Sequence, residues 1–187
     1  LREQWELPEL EADLRILQTM QPILRKGGWK VTCAVHLGSR AYRPRIMQVW
    51  PGFHDASIYG LAVDLGSTTI AAHLCDLQSG DVVASSGIMN PQIRYGEDLM
   101  SRVSYSMMNK GGADEMTAAV RAGMNALFDQ IAGEAEIAKT DILDAVFVCN
   151  PVMHHLFLGI DPFELGQAPF ALATSDSLNL TAAELDL

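Results

Sequence analysis

Apolar positions along this chain recur in two rhythms, one helical and one strand-like. Near the start, Leu10, Leu14 and Leu17 in PELEADLRILQTM fall at helical spacing, with Pro8 at the front and Gln21-Pro22 as a stop. That pattern predicts a short amphipathic helix. After Gly27-Gly28, the runs WKVTCAVHL and PRIMQVW are rich in β-branched and aromatic residues, and the polar stretch GSRAYR separates them. They predict a pair of strands. Pro51-Gly52 followed by FHDAS is the clearest punctuation in the first third, which places a boundary near residue 57. The expectation is a small α+β unit over residues 1–57 and a larger unit over 58–187.

From Tyr59 the texture changes. GLAVDLG reads as a buried strand ending in a tight turn, TIAAHLCDL as a second strand, QSGD as a hairpin turn, and VVASSGIM as a third strand. Residues 60–89 therefore predict a three-stranded antiparallel meander. Leu99, Val103 and Met107 then lie four apart behind Glu97-Asp98, and Met116, Val120, Met124, Leu127 and Ile131 recur at four, four, three and four. Two amphipathic helices follow. AVFVC is a short apolar strand, and Asn150-Pro151 opens another helix, with Asn at the N-cap, Pro at the first helical position and Gly159 at the end. The tail TSDSLNLTAAELDL has weak helical character. The order strand, strand, strand, helices, strand, helix resembles the ribonuclease-H-like core of actin, sugar kinases and chaperone ATPases. In that core the fourth strand returns parallel to the first, which would bring the carboxyl end of AVFVC beside the turn after Asp64.

Composition narrows the function classes. With 187 residues and 49% of them hydrophobic, the chain has the material for a sizeable core. Its longest apolar runs fall far short of the roughly 20 residues that cross a bilayer, so no membrane span is expected. LREQWELPEL lacks both the basic start and the apolar middle of a signal peptide, and there is no initiator Met, so the chain reads as a piece of a longer polypeptide. A net charge of −10 disfavours nucleic acid, whose partners present clustered Lys and Arg. Cys33, Cys75 and Cys149 are odd in number and far apart, which fits a reducing, cytoplasmic setting and leaves no close pair for a cluster or zinc.

Chemistry concentrates at the first tight turn. Asp64 ends an apolar strand, and Gly66 permits a turn whose backbone N–H groups share one concavity, the kind of nest that attracts phosphate oxygens. Hydroxyls of Ser67, Thr68 and Thr69 add donors, and the Asp64 carboxylate suits Mg²⁺ directly or through water. Amides and metal would then share the charge of the β- and γ-phosphates of ATP. The competing reading is a plain hairpin in which Asp and Thr cap backbone groups. Asn150 stands where a helix N-terminus favours anions, or is simply the cap of that helix. His154 and His155 are adjacent, so on a helix they diverge by about 100° and do not chelate one metal together. His73 reads as a hydrogen-bonded strand residue, and Met100, Met107 and Met108 read as helix packing. The segment NPQIRYGEDLMSR fits either a loop near the nucleotide or a subunit contact. Within it, Arg94, Asp98 and Arg102 read as a solvated ion-pair face.

Taken together, YGLAVDLGSTTIAAHLCDLQSG, NPQIRYGEDLMSRV and NPVMHHLFLGIDPFELGQAPF resemble the reductive activators of corrinoid proteins, a family with an actin-like ATPase domain. The match runs from about residue 59 to 171. It extends into DLRILQ and GGWKVTCAVHL, which look like that family's middle domain. The resemblance implies an ATP- and Mg-dependent return of a Co(II) corrinoid protein to Co(I), with electrons entering through an N-terminal [2Fe-2S] domain absent from this chain. It assigns the first phosphate and metal site to Asp64, Gly66, Ser67, Thr68 and Thr69, and a weaker contact to Asn150. Cys149-Asn150-Pro151-Val152 departs from the Gly-Asn followed by hydroxyl residues of many relatives. The chain would hold an incomplete site, inactive in isolation. The alternatives are a small-molecule kinase of the same superfamily, or a docking module that binds a corrinoid protein or forms a homodimer.

Overall fold

The computed structural model describes residues 2–7, 9–38 and 43–187. Within it the chain divides into two compact units, Leu1–Ser57 and Ile58–Leu187.

In the first unit, helix α1 (Leu14–Lys26) packs against the antiparallel strands β1 (Val31–His36) and β2 (Arg45–Pro51). Pro8 and most of the turn GSRAYR lie outside the described residues. The helix differs from its expected form. It starts four residues after Leu10, because the Asp13 side chain caps it by accepting from the Ile16 amide at 2.8 Å. It also runs through Pro22 to Lys26. Leu14 and Leu17 are 68% and 56% exposed, and the inward face is Ile16, Met20 and Ile23, at steps of four and three. Packing of that face against Leu10, Ile46 and Val49 offsets the hydrogen bond that Pro22 cannot donate.

The second unit is a four-stranded mixed sheet in the order β5-β4-β3-β6, formed by β3 (Tyr59–Leu65), β4 (Thr69–Asp76), β5 (Val82–Met89) and β6 (Ile142–Cys149). The meander is antiparallel, and β6 joins β3 in parallel with Asp64 opposite Val148 and Leu65 opposite Cys149. The expected return of the fourth strand to the first is therefore present. Helices α2 (Leu99–Met108), α3 (Gly112–Glu134) and α4 (Pro151–Leu158) complete the unit. The tail carries one 3-10 turn, Ala182–Leu185, closed by a capping box between Thr181 and Glu184.

Strand alternation decides which side of the sheet is core. Leu61, Val63 and Leu65 are buried while Ala62 and Asp64 are exposed. Ile70, Ala72 and Leu74 of β4 join the buried side. Against them stand Met116, Val120, Met124, Leu127 and Ile131, the stripe read from the sequence, together with Met153, Leu156 and Phe157 of α4. Each fully buried side chain of this size contributes about 1.5–3 kcal/mol, so this one face carries most of the unit's stability. Among the described residues, no helix is long and apolar enough to cross a membrane.

Two further expectations fail in α2. Met100 and Met108 are 52% and 83% exposed, and Met107 is also exposed, so these methionines do not form a packed helix face. The buried face of α2 consists of Arg102 and Val103. Because the helix lies with Arg102 inward, the proposed solvated ion-pair face of Arg94, Asp98 and Arg102 does not form. Arg94 instead lies over the Tyr95 ring, and Asp98 caps α2 by accepting from the Ser101 amide at 2.7 Å.

A candidate phosphate turn held by buried polar side chains

The turn between β3 and β4 begins one residue after Leu65. The Gly66 amide donates to the Thr69 carbonyl at 3.1 Å, closing the turn on itself. A Cβ on residue 66 would lie 2.6 Å from that same oxygen, so only glycine fits here. Asp64, Thr68 and Thr69 are exposed and Ser67 is half-buried. The side chain of Asp64 leaves the sheet on the face opposite the core, by the alternation of β3.

Every carbonyl of the turn is taken by a protein donor. The Gly66 oxygen accepts from Asn90 Nδ2 at 2.8 Å, the Ser67 oxygen from Arg102 Nη2, and the Thr68 oxygen from the Asn90 amide at 2.8 Å. Across a trans peptide the C=O and the next N–H point in opposite directions. Holding these oxygens inward therefore turns the amides of Ser67, Thr68 and Thr69 away from the donors. Among the described residues, no protein acceptor meets the Ser67 or Thr68 amide. Two adjacent free amides beside an exposed carboxylate have the chemistry to receive an anion accompanied by a cation.

The donors come from the segment NPQIRYGEDLMSR, whose role its composition left open. Asn90, Gln92 and Arg102 are all buried. Asn90 Oδ1 accepts from the Gln92 amide at 2.9 Å and caps the 3-10 turn Pro91–Tyr95, while Gln92 Nε2 donates to the Met116 carbonyl at 3.0 Å. Arg102 also donates to the Gly96 carbonyl at 2.9 Å, to Met153 Sδ at 3.2 Å and, more weakly, to Gln92 Oε1 at 3.4 Å. Burial pushes its guanidinium below its ordinary range and Asp98 opposes that, but an arginine stays charged at any working pH. Periodicity assigned Arg102 to the surface. No local signal marks it as inward, since it stands about 100° around the helix from Val103.

The other predicted residues sort as follows. Asn150 caps α4, its Oδ1 accepting from the Met153 amide at 3.0 Å, with Pro151 at the first helical position. It follows Cys149, the partner of Leu65, and so stands at the same end of the sheet as the turn. Burial first, and the Asp64 carboxylate second, push the Cys149 thiol up, which puts the two residues within electrostatic reach. His155 is buried, with Nδ1 2.8 Å from the Pro151 carbonyl and Nε2 accepting from the Ala173 amide at 3.0 Å. Both ring nitrogens are engaged, so it ties α4 to the following loop. His73 is exposed and bonds Ser85 at 2.7 Å. Among the described residues, no group of three His, Cys, Asp or Glu is placed to hold a metal.

Comparison with known proteins places this geometry. Residues 59–187 match the model of the RACo middle region, and residues 1–56 match that of the RACo linker region. The chain belongs to the RACo family. The first unit, which resembled that family's middle domain, thus matches the linker, and the candidate turn lies in the RACo middle region. The corrinoid activation enzyme RamQ of Eubacterium limosum is 32% identical over 133 residues, covering 71% of this chain and 22% of that protein. A solved reductive activator for corrinoid, iron–sulfur protein superposes with a TM-score of 0.84 at 32% identity, covering 95% of this chain and 28% of that one. The RACo chain described here thus spans about a quarter of the length of these relatives.

Proposed function

We propose that this chain supplies the first phosphate grip of an ATP-dependent reductive activator, which returns a Co(II) corrinoid protein to the Co(I) state used for methyl transfer. The observation that carries this reading is the pair of outward-facing amides at Ser67 and Thr68 beside exposed Asp64, in a chain of the RACo family. The names of RamQ and of the solved activator supply the substrate class. In this reading the second unit is part of an actin-like, ribonuclease-H-like lobe, for which the sheet order with β6 parallel to β3 is the required arrangement.

The residues present fit Mg²⁺ and ATP. Mg²⁺ prefers one or two carboxylates with water and phosphate oxygens, and exposed Asp64 offers a carboxylate at an open position. When bound, the ion neutralises charge on the phosphates. The Ser67 and Thr68 amides would hold phosphate oxygens, and Asp64 would orient the hydrated ion against them. Asn150 contributes through the N-terminus of the helix it caps. A [2Fe-2S] cluster needs four thiolates, and three separate free cysteines do not fit it, so the electron donor is a different part of the protein or a partner. The free cysteines suit a reducing, cytoplasmic setting.

The test uses the protein at its natural length with a Co(II) corrinoid protein, a low-potential reductant and Mg·ATP. Reduction to Co(I), followed by the cobalt absorption spectrum, should require ATP, and Asp64→Ala should abolish that ATP-dependent reduction. Wild-type rates without ATP, or unchanged ATP-dependent rates in the variant, would sink the assignment.

A further inference from the structure

Arg102 carries a full charge at a position with no exposed surface, yet no carboxylate bonds it among the described residues. Its acceptors are two carbonyls, an amide oxygen and a thioether. A guanidinium surrounded this way is costly to bury, since neutral acceptors do not return the solvation of a charge. As a stabilising device an apolar residue of similar length would serve better. What the guanidinium does that a methionine cannot is to hold the Ser67 carbonyl, Gly96 and Met153 at once.

We propose that Arg102 is a positioning residue for the phosphate grip: by binding the Ser67 carbonyl from inside, it aims the Thr68 amide outward, and it sets behind the anion site a positive charge that no carboxylate bonds among the described residues. Asn90 does the same for the neighbouring peptides through the Gly66 and Thr68 oxygens. Both side chains also donate to Met153 Sδ, Asn90 at 3.6 Å and Arg102 at 3.2 Å. Met153 is the residue whose amide Asn150 caps. The network therefore fixes the turn and the start of α4 to one another, so the two anion-facing elements keep a constant spacing. It rests on the reading of the turn as a phosphate grip.

The experiment compares wild-type protein at its natural length with Arg102→Met, Arg102→Lys and Asp64→Asn. Binding of Mg·ATP and of pyrophosphate is read by calorimetry, and backbone amide exchange is read residue by residue. Losing a charge-assisted hydrogen bond from a buried site corresponds to about a ten- to hundredfold change in affinity. Arg102→Met is expected to weaken both ligands by that factor and to speed exchange of the Gly66 and Asn90 amides, which the hydrogen bonds of the turn protect, while β3 and β4 keep their protection. Arg102→Lys preserves a cation but not the three-way fork, so the same turn amides should speed and ATP affinity should fall in a variant that stays folded. Wild-type affinity and unchanged turn exchange in either folded Arg102 variant would overturn the proposal while leaving the phosphate reading intact. Faster exchange throughout the sheet would assign Arg102 to general stability and also overturn it. Absence of ATP and pyrophosphate binding in the wild type would overturn the phosphate reading itself, and Asp64→Asn separates the metal's share from that of the amides.

Discussion

Gly66 and the residues around it are tuned by contacts of a few atoms. A methyl group at position 66 would sit 2.6 Å from the Thr69 carbonyl, well inside van der Waals contact, with backbone rather than a flexible side chain on the other side. Gly66→Ala should therefore lower the unfolding free energy by about 1–3 kcal/mol and weaken Mg·ATP binding, as seen in denaturant titrations with and without nucleotide. Cys149 offers a chemical readout of the same corner. Its thiol is pushed up by burial and then by Asp64, so at neutral pH it is nearly all in the unreactive protonated form. Alkylation of Cys149, followed by mass spectrometry, should be slow in the wild type and faster in Asp64→Asn, where the repelling carboxylate is gone.

Helix ends set the second scale. α4 has eight residues, starts at an Asn-Pro pair and stops at Gly159, whose φ of 77° is the left-handed conformation that favours glycine. Asn150→Ala removes the side-chain acceptor of the Met153 amide and should cost about 1 kcal/mol in thermal or chemical unfolding. α2 depends on Asp98 in the same way, but at an exposed position. The Ser101 amide, then the Ser101 hydroxyl, hold the Asp98 carboxyl below its ordinary 3.8. A depressed folded value means that this contribution is present above the unfolded value and is lost as pH falls through the folded one. Far-ultraviolet circular dichroism on acidification should show the α2 contribution falling below the ordinary aspartate range, and Asp98→Asn should flatten that part of the curve.

At the scale of the whole molecule, the described residues gather into two hydrophobic cores. One gathers Leu10, Ile16, Ile46 and Val49, and the other surrounds β3 and α3. Ile16 is fully buried in the smaller core, and Ile16→Ala should cost that unit about 2–5 kcal/mol. Hydrogen exchange should then speed in β1 and β2, and unchanged protection there would show that the first core does not depend on α1.

The linear pattern of residues was sufficient for the second unit's elements, because each has a long or sharply bounded signal: alternation in β3 and β4, five apolar residues on one stripe of α3, and an Asn-Pro start with a Gly stop for α4. It also marked Asp64 and the Gly66 turn, since an apolar strand that ends in Asp and Gly announces itself locally. Two kinds of information were missing. Helix α1 passes through Pro22 because tertiary burial of Ile16, Met20 and Ile23 outweighs a local breaker, and no local rule contains that term. Arg102 reads as a surface charge by residue type and spacing. Only the packing of α2 behind the turn turns it inward, onto a carbonyl 35 residues away in sequence. The sequence alone determined where the turn after Asp64 begins, the turn that we propose is a phosphate grip. The tertiary structure decided what holds that grip in shape, because its donors come from a distant segment that the fold alone brings to the turn.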